Sequence, residues 1–290
     1  MGMRFCVTAI IVLAFLGIAG NALGATCRSN AATIVGTAGG DKLVGTAGKD
    51  VIVGRGGDDR IIGLGGQDII CGGHGGDILR GGFGEDFLYG GRGSDVLFGG
   101  VGNDWLRDGG GSDKLFGRSG HDRAGGFPGN DKIWLGRGSD IGLDGPGNDV
   151  IRGQADRDLF NTISHLGHDL FDGGSGGDSL QWFGSDPVVV DLSIGLLTSG
   201  TTKTLVSIEN VVGGSGADTL VGDDGANFLQ GGPLEGQDGS DHIEGRGGDD
   251  ILWGLLGDDF LDGGDGTDSL DGGDGTDTCL AGETVGSCEL

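Results

Sequence analysis

The chain has 290 residues, of which 72 are Gly, and 18 Lys+Arg stand against 44 Asp+Glu for a formal net charge of -26. With 36% hydrophobic and 6% aromatic residues, it falls short of an ordinary globular composition, and each internal Gly costs about 1 kcal/mol in a helix relative to Ala, which excludes long helices and a large conventional core. So acidic a chain is a poor partner for nucleic acid, whose phosphates call for Lys and Arg; it is either a disordered acidic polymer or a periodic architecture whose turns require Gly.

The first segment reads as a targeting signal. Residues 1–4 end in Arg4, residues 5–19 are almost wholly apolar, and Ala22-Leu23-Gly24 places small residues at the spacing of a cleavage site, so residues 1–24 are expected to be removed after Gly24 and the protein to be secreted. The run is short for a membrane anchor and no later apolar run approaches about 18 residues, so no membrane span is expected in the mature chain. Gly24-Ala25-Thr26 before Cys27 lacks the Leu of a lipidated Cys. Four cysteines remain after cleavage: Cys27, Cys71, Cys279 and Cys288. An even count in an exported chain suggests two disulfides, with three possible connectivities of which the local one is simplest.

From residue 36 the chain repeats every nine residues. Fourteen blocks run to residue 161 without insertion; the sixth residue is Asp in all fourteen, the fourth is Gly in thirteen and the eighth is Leu, Ile or Phe in twelve. The period returns at 173–181, at 213–230 with Asn227 in the Asp place, and in five blocks from 236 to 280. Gly at the first, second and fourth places permits positive φ and close backbone approach. The last three residues form a short strand whose eighth-position side chain points inward and whose seventh and ninth point outward. Two blocks then close one flattened coil, and coils stack about 4.8 Å apart, which predicts an all-β parallel β-roll, a β-solenoid with two nonapeptides per coil.

Stacking sets the Asp of each block beside the Asp two blocks on. One edge carries Asp41, Asp59, Asp77, Asp95, Asp113, Asp131 and Asp149; the other carries Asp50, Asp68, Asp86, Asp104, Asp122, Asp140 and Asp158. Carboxylates about 5 Å apart repel unless neutralised. Hard carboxylate and carbonyl oxygens suit Ca²⁺, which takes 6–8 oxygens in adaptable geometry, better than the tight octahedron of Mg²⁺. The expected metal ligands are these Asp residues, Asp158 excepted, together with Asp218, Asp241, Asp250, Asp259, Asp268 and Asp277, holding multiple Ca²⁺ ions. Ala124, Gly142, Pro128 and Asp156 weaken the expectation of a full row over 117–161, and Asn227 leaves one site with less charge.

With the blocks 81–89, 90–98 and 99–107 as its closest matches to G-G-x-G-x-D-x-U-x, the chain resembles the repeats-in-toxin, hemolysin-type calcium-binding proteins. The resemblance implies a parallel β-roll with Ca²⁺ held in the turns between adjacent coils by the sixth-position Asp carboxylates and turn carbonyls. Residues 188–212 also resemble spacers within such arrays. Many relatives carry a catalytic or pore-forming domain before the repeats and an uncleaved C-terminal export signal. Here the repeats follow a cleavable-looking N-terminal signal, so the chain looks like the stand-alone secreted members.

The expected organisation is a signal peptide at 1–24, an N-terminal cap and calcium-binding roll at 25–161, a mostly metal-free solenoid spacer at 162–212, and a second calcium-binding roll with a disulfide cap at 213–290. Residues 27–35 keep the nine-residue phase and read as a metal-free cap with Ile34 inward. The flexible start at Cys27 can reach Cys71 two coils on, and Cys279 and Cys288, one block apart, would pin the last coil. Outward ninth positions Phe98, Phe116 and Trp134, and seventh positions Phe87 and Trp105, are expected to stack in ladders on the outer faces.

No enzyme is expected. There is no H-E-x-x-H; His165 and His168 have the wrong spacing for it, and the G-x-S-x-G at 173–177 lies in register with the repeat. The functional expectation is a secreted calcium-binding protein whose folding calcium drives. The alternative is a calcium-rigidified surface module for an extracellular glycan or protein partner, or a non-catalytic accessory to a polysaccharide-active enzyme.

Overall fold

The computed structural model describes residues 26–162, 166–234, 238–282 and 284–288; the expected signal segment and His165 lie outside them. Its strands form two long sheets, of fifteen and fourteen strands, between which the chain alternates. No helix of the described residues is long and apolar enough to cross a membrane. Val96, Leu97 and Phe98 pair in parallel with Ile78, Leu79 and Arg80 on one side and with Lys114, Leu115 and Phe116 on the other. Every coil in the first array is thus 18 residues, two nonapeptides, as the period predicts. The fold is an all-β parallel solenoid.

The core is the pair of columns made by the eighth positions. Ile52, Ile61, Ile70, Leu79, Leu88, Leu97, Leu115 and Ile133 are all fully buried, and the columns continue through Phe171 and Leu180 to Leu252 and Leu270. The two weak eighth positions, Ala124 and Gly142, pair side by side in one sheet. The room they leave is taken by their neighbours: Leu135 replaces a first-position Gly and is fully buried, and a Cβ on Gly142 would meet Ile151, Leu135 and Phe160. The volume lost from one column is returned from the other, as close packing requires.

Most strands of the first array are longer than the three residues expected. Val96–Val101 and its neighbours run six residues, pairing across the seventh to ninth positions and again across the second and third positions of the next block, Gly100 with Arg118 and Val101 with Ser119. Strands stop at three residues, as in Lys42–Val44, Arg123–Gly125 and Ile141–Leu143, where the second residue of the following turn lacks positive φ.

The N-terminal cap is not a half-coil in phase with the rest. Thr26–Cys27 and Asn30–Ala31 pair antiparallel around Arg28 and Ser29, whose φ values of 48° and 68° give the two positive-φ residues of a tight hairpin turn. The hairpin packs Cys27 with Val51, Val53, Ile69, Cys71 and Tyr89 in a small cluster apart from the main core, while Ile34 stays packed against that core as expected. Both disulfides form as expected, Cys27–Cys71 and Cys279–Cys288, with Cα–Cα distances of 6.0 and 5.9 Å.

Both sheets run on through 162–212. There an antiparallel meander of Val189–Asp191, Leu196–Ser199 and Thr201–Val206 is inserted into one sheet. Its last strand continues the first array by pairing with Leu170–Ser175, and its first strand starts the second by pairing with Thr219–Val221. On the outer face, Phe98, Phe116 and Trp134 stack at 4.9 and 4.6 Å with ring planes within 10° and 3°, and the Arg80 and Arg118 guanidinium groups lie over Phe98. Phe87 and Trp105 meet at 5.6 Å.

Candidate metal centre

The sixth-position Asp residues form a continuous hydrogen-bonded ladder along each edge. The backbone N–H of each donates to Oδ1 of the Asp one coil on: Asp41 to Asp59, Asp59 to Asp77, Asp77 to Asp95, Asp95 to Asp113, Asp113 to Asp131 and Asp131 to Asp149, at 2.6–2.8 Å. The other edge repeats it from Asp50 through Asp68, Asp86, Asp104, Asp122 and Asp140 to Asp158. In the second array Asp218 donates to Asp241, Asp241 to Asp259, Asp259 to Asp277 and Asp250 to Asp268. The Asp backbone carbonyl is also used: the Lys114 N–H donates to Asp95 O and that of Trp105 to Asp86 O. These side chains point into the turn and are buried, apart from the half-buried Asp41 at the N-terminal end.

The ladder consumes one carboxylate oxygen and leaves the other. Oδ2 of Asp59, Asp68, Asp77, Asp86, Asp95, Asp104, Asp113, Asp122, Asp131, Asp140, Asp158, Asp241, Asp250 and Asp259 is buried without a hydrogen-bond partner among the described residues. An ionised carboxylate in that state costs several kcal/mol unless something neutralises it. The oxygen faces the first-position Gly of its own block. A Cβ on Gly63 would collide with Asp68 Oδ2 and lie 2.6 Å from the carbonyl oxygen of Gly81 in the next coil; Gly54 and Gly72 show the same arrangement. Each such turn is therefore a buried cradle where carboxylate and carbonyl oxygens converge.

The electrostatics follow from that convergence. Burial raises the Asp86 carboxyl to about 6, that of Asp95 to about 7 and those of Asp104 and Asp241 to about 8, against the opposing backbone N–H bond and with help from the neighbouring carboxylates of the ladder. Asp50 goes the other way. The Thr46 backbone N–H holds its carboxyl below the ordinary value, despite burial, and the Thr46 and Thr33 hydroxyls help.

Two forms of turn explain the difference. In one, the second-position N–H turns in and donates to Oδ2 of its own block: Thr37 to Asp41 and Thr46 to Asp50 at 2.6 Å, Gly145 to Asp149 at 3.2 Å, Gly214 to Asp218 at 2.8 Å, with Asp223 donating likewise to Oδ1 of Asn227. In the other, the second residue has positive φ and Oδ2 is left for another partner. Gly supplies that φ at Gly73, Gly82, Gly91 and Gly100, but Arg55, Leu64, Arg118, Gln154, Arg246 and Leu255 adopt it too, at 77–87°. A side chain there costs of order 1 kcal/mol or more, and strain of this kind collects at ligand sites. Asp41, Asp50, Asp149 and Asp218, all expected as ligands, thus already have protein donors on Oδ2.

Some residues of the site were not among the expected ligands. Asp158, which the period put on the Asp edge but which was left out as a ligand, belongs to the ladder. Asp169 and Asp178 extend it, accepting from the Asp149 and Asp158 backbone N–H groups at 2.7 and 2.8 Å, and Glu209 then accepts from Asp178 N–H at 2.7 Å. The signal was the period itself, which resumes after two extra residues as Gly167-His168-Asp169-Leu170-Phe171. Asp108 and Asp144 occupy first positions, where the side chain points inward, and both are buried. The His168 ring nitrogen lies 2.9 Å from the Thr202 carbonyl oxygen.

A buried, acceptor-only row of carboxylate and carbonyl oxygens fits a hard cation of the Ca²⁺ type, by the chemistry of its donors. The RTX calcium-binding nonapeptide repeat matches the chain over residues 35–70, 72–106, 107–142, 143–162, 208–233, 234–261 and 253–283. The chain belongs to this family. The match accounts for both arrays, and the gap between matches, residues 163–207, contains the two-residue shift and the meander. No curated protein matched the chain.

Proposed function

We propose that this RTX protein is an exported, non-enzymatic calcium binder whose roll folds as ions fill its successive turns. The observation that carries the reading is the row of buried Asp Oδ2 atoms surrounded by acceptor oxygens. We assign as ligands the sixth-position residues Asp59, Asp68, Asp77, Asp86, Asp95, Asp104, Asp113, Asp122, Asp131 and Asp140, then Asp241, Asp250, Asp259, Asp268 and Asp277, and add Asp158 and Asp178; Asp149 and Asp218, whose Oδ2 atoms accept from Gly145 and Gly214, are left out. Asp41 and Asp50, held by Thr37 and Thr46, close the N-terminal end as a coil that needs no ion.

Bound Ca²⁺ supplies positive charge that neutralises facing carboxylates and joins neighbouring coils. The protein's own residues do the positioning: the ladder N–H groups fix Oδ1, the positive-φ turn leaves Oδ2 available, and the first-position Gly keeps the cradle open. A free chain of this charge and Gly content is costly to order, and metal bound only by the folded form adds directly to folding stability. Export agrees with two disulfides, which persist in oxidising compartments. Circular dichroism and melting of the desalted protein, with chelator and with millimolar calcium, test the reading: a disordered spectrum should become β-rich and cooperative in calcium. Identical spectra and melting points would refute calcium-driven folding.

A further inference from the structure

Asp108 and Asp144 stand in the same column, two coils apart, where the repeat ordinarily has Gly. Each adds a carboxylate to those of the ladder: Asp108 lies with Asp113 and Asp131, and Asp144 shares a partner with Asp169. In the second gap the chain provides its own cation. Lys203, on the inserted meander, is fully buried and donates from Nζ to Asp144 Oδ2 at 3.0 Å and to Asp169 Oδ2, while the Thr162 hydroxyl donates to Asp144 at 2.6 Å.

The first gap gathers three carboxylates, and among the described residues no lysine pairs with them. Asp108 is fully buried, and Asp113 and Asp131 are 1% exposed. Oδ1 of Asp108 accepts from the backbone N–H groups of Gly109, at 2.5 Å, and Phe127, at 3.1 Å. In taking the Phe127 N–H, Asp108 removes the donor that in the equivalent turn of Gly145 goes to the ladder Asp of the same block, and so leaves Asp131 Oδ2 unpartnered. The Oδ2 atoms of Asp108, Asp113 and Asp131 are all buried without hydrogen-bond partners among the described residues. One carboxylate oxygen from each lies within 4.8 Å of the other two, the span that a Ca²⁺ with oxygens at 2.3–2.6 Å can bridge. Arg107, the nearest residue in sequence with a positive charge, lays its guanidinium over the Phe127 ring at 4.2 Å.

We propose that Asp108, Asp113 and Asp131 form a three-carboxylate Ca²⁺ site, distinct from the two-carboxylate turns of the repeat, that fills before them. The inference rests on the calcium reading for Asp113 and Asp131 and adds Asp108 as a ligand that the nonapeptide motif does not contain. The ammonium of Lys203 is its counterpart two coils on, a resident cation that closes the equivalent gap without an ion. Affinity in oxygen-donor sites rises with the number of charged ligands, so the first ion should bind at least about tenfold more tightly than the later ones.

The test is calcium titration of the full exported chain by isothermal calorimetry, with Asp108→Gly, which restores the residue of the repeat, and Asp108→Asn, which keeps size and the Oδ1 acceptor but removes the charge. Wild type should show one tight step ahead of the rest. Both variants should lose that step, keep the weaker ones, and reach the wild-type circular dichroism spectrum in saturating calcium. If both variants titrate as wild type does, Asp108 is no ligand and the proposal is overturned while the repeat sites stand. If wild type takes up no calcium at all, the repeat reading falls with it. Should Asp108→Gly fold poorly, the isosteric Asn variant decides alone.

Discussion

The backbone N–H of Asp95 donates to Oδ1 of Asp113, 18 residues on, at 2.6 Å. That one bond, repeated along both edges, makes each sixth-position carboxylate serve two ends: one oxygen fixes the register of the preceding coil and the other faces the cradle. Structure and ligand chemistry are thus separable within a single side chain.

The separation predicts different results for Asn and Ala at the same place. Asp86→Asn keeps an acceptor for the Asp68 N–H and removes a charge, so it should weaken calcium binding while the calcium-saturated fold persists. Asp86→Ala also strands that buried N–H and should cost about 1–3 kcal/mol more. Urea unfolding in saturating calcium measures the difference; equal losses would mean that the ladder bond contributes nothing.

Acidity should substitute in part for the metal. The folded-state carboxyls of Asp104 and Asp241 lie at about 8 and that of Asp95 at about 7, above the ordinary 3.8, because of burial. A folded form that binds more protons than the unfolded chain loses stability as pH rises. The chelated roll should therefore be most stable near the ordinary carboxylate value and weaken progressively as pH climbs to about 8, while calcium affinity changes in the opposite sense. Thermal melts in chelator across that range check the sign; a chelated protein that gains stability toward alkaline pH contradicts it.

Close approach of the turns makes some glycines irreplaceable. Gly84 has φ 124°, and a Cβ there would collide with the Gly66 carbonyl oxygen one coil back. Gly84→Ala should cost about 2–4 kcal/mol in calcium, read from the denaturation midpoint. A loss under about 0.5 kcal/mol would show that the turn relaxes freely.

The two disulfides should contribute unequally. They close loops with sequence separations of 44 and 9, for which chain entropy gives about 4 and about 2.6 kcal/mol. Cys27→Ser with Cys71→Ser should lower the calcium-form melting point more than Cys279→Ser with Cys288→Ser. The reverse order would place the stabilisation in native contacts at the C-terminal end instead.

The nine-residue period was enough to read the coil length, the inward column from Ile52 to Phe160, the edge on which each Asp falls and the stacking of Phe98, Phe116 and Trp134, because period fixes register and register fixes facing. What escaped it depends on contacts that no period encodes. Lys203 reaches Asp144 and Asp169 only because an antiparallel meander folds back across the end of the first array. Arg28 and Ser29 make a tight turn without the Asn-Gly signature that announces one. Thr37 and Thr46 look like tolerated variants of Gly, yet their N–H groups and hydroxyls satisfy Asp41 and Asp50. Asp108 and Asp144 likewise pass for lapses of the repeat until the inward direction of the first position is seen.

The most direct test is a crystal structure of the full chain grown in calcium, with anomalous scattering used to place the ions. Ions should lie inside the turns, against the Oδ2 atoms of neighbouring ladder residues such as Asp77 and Asp95 on one edge and Asp86 and Asp104 on the other, and should be missing from the Thr46 turn at Asp50. Empty turns between those carboxylates, or ions held only by exposed acidic residues outside the ladder such as Asp58 and Asp265, would contradict the account.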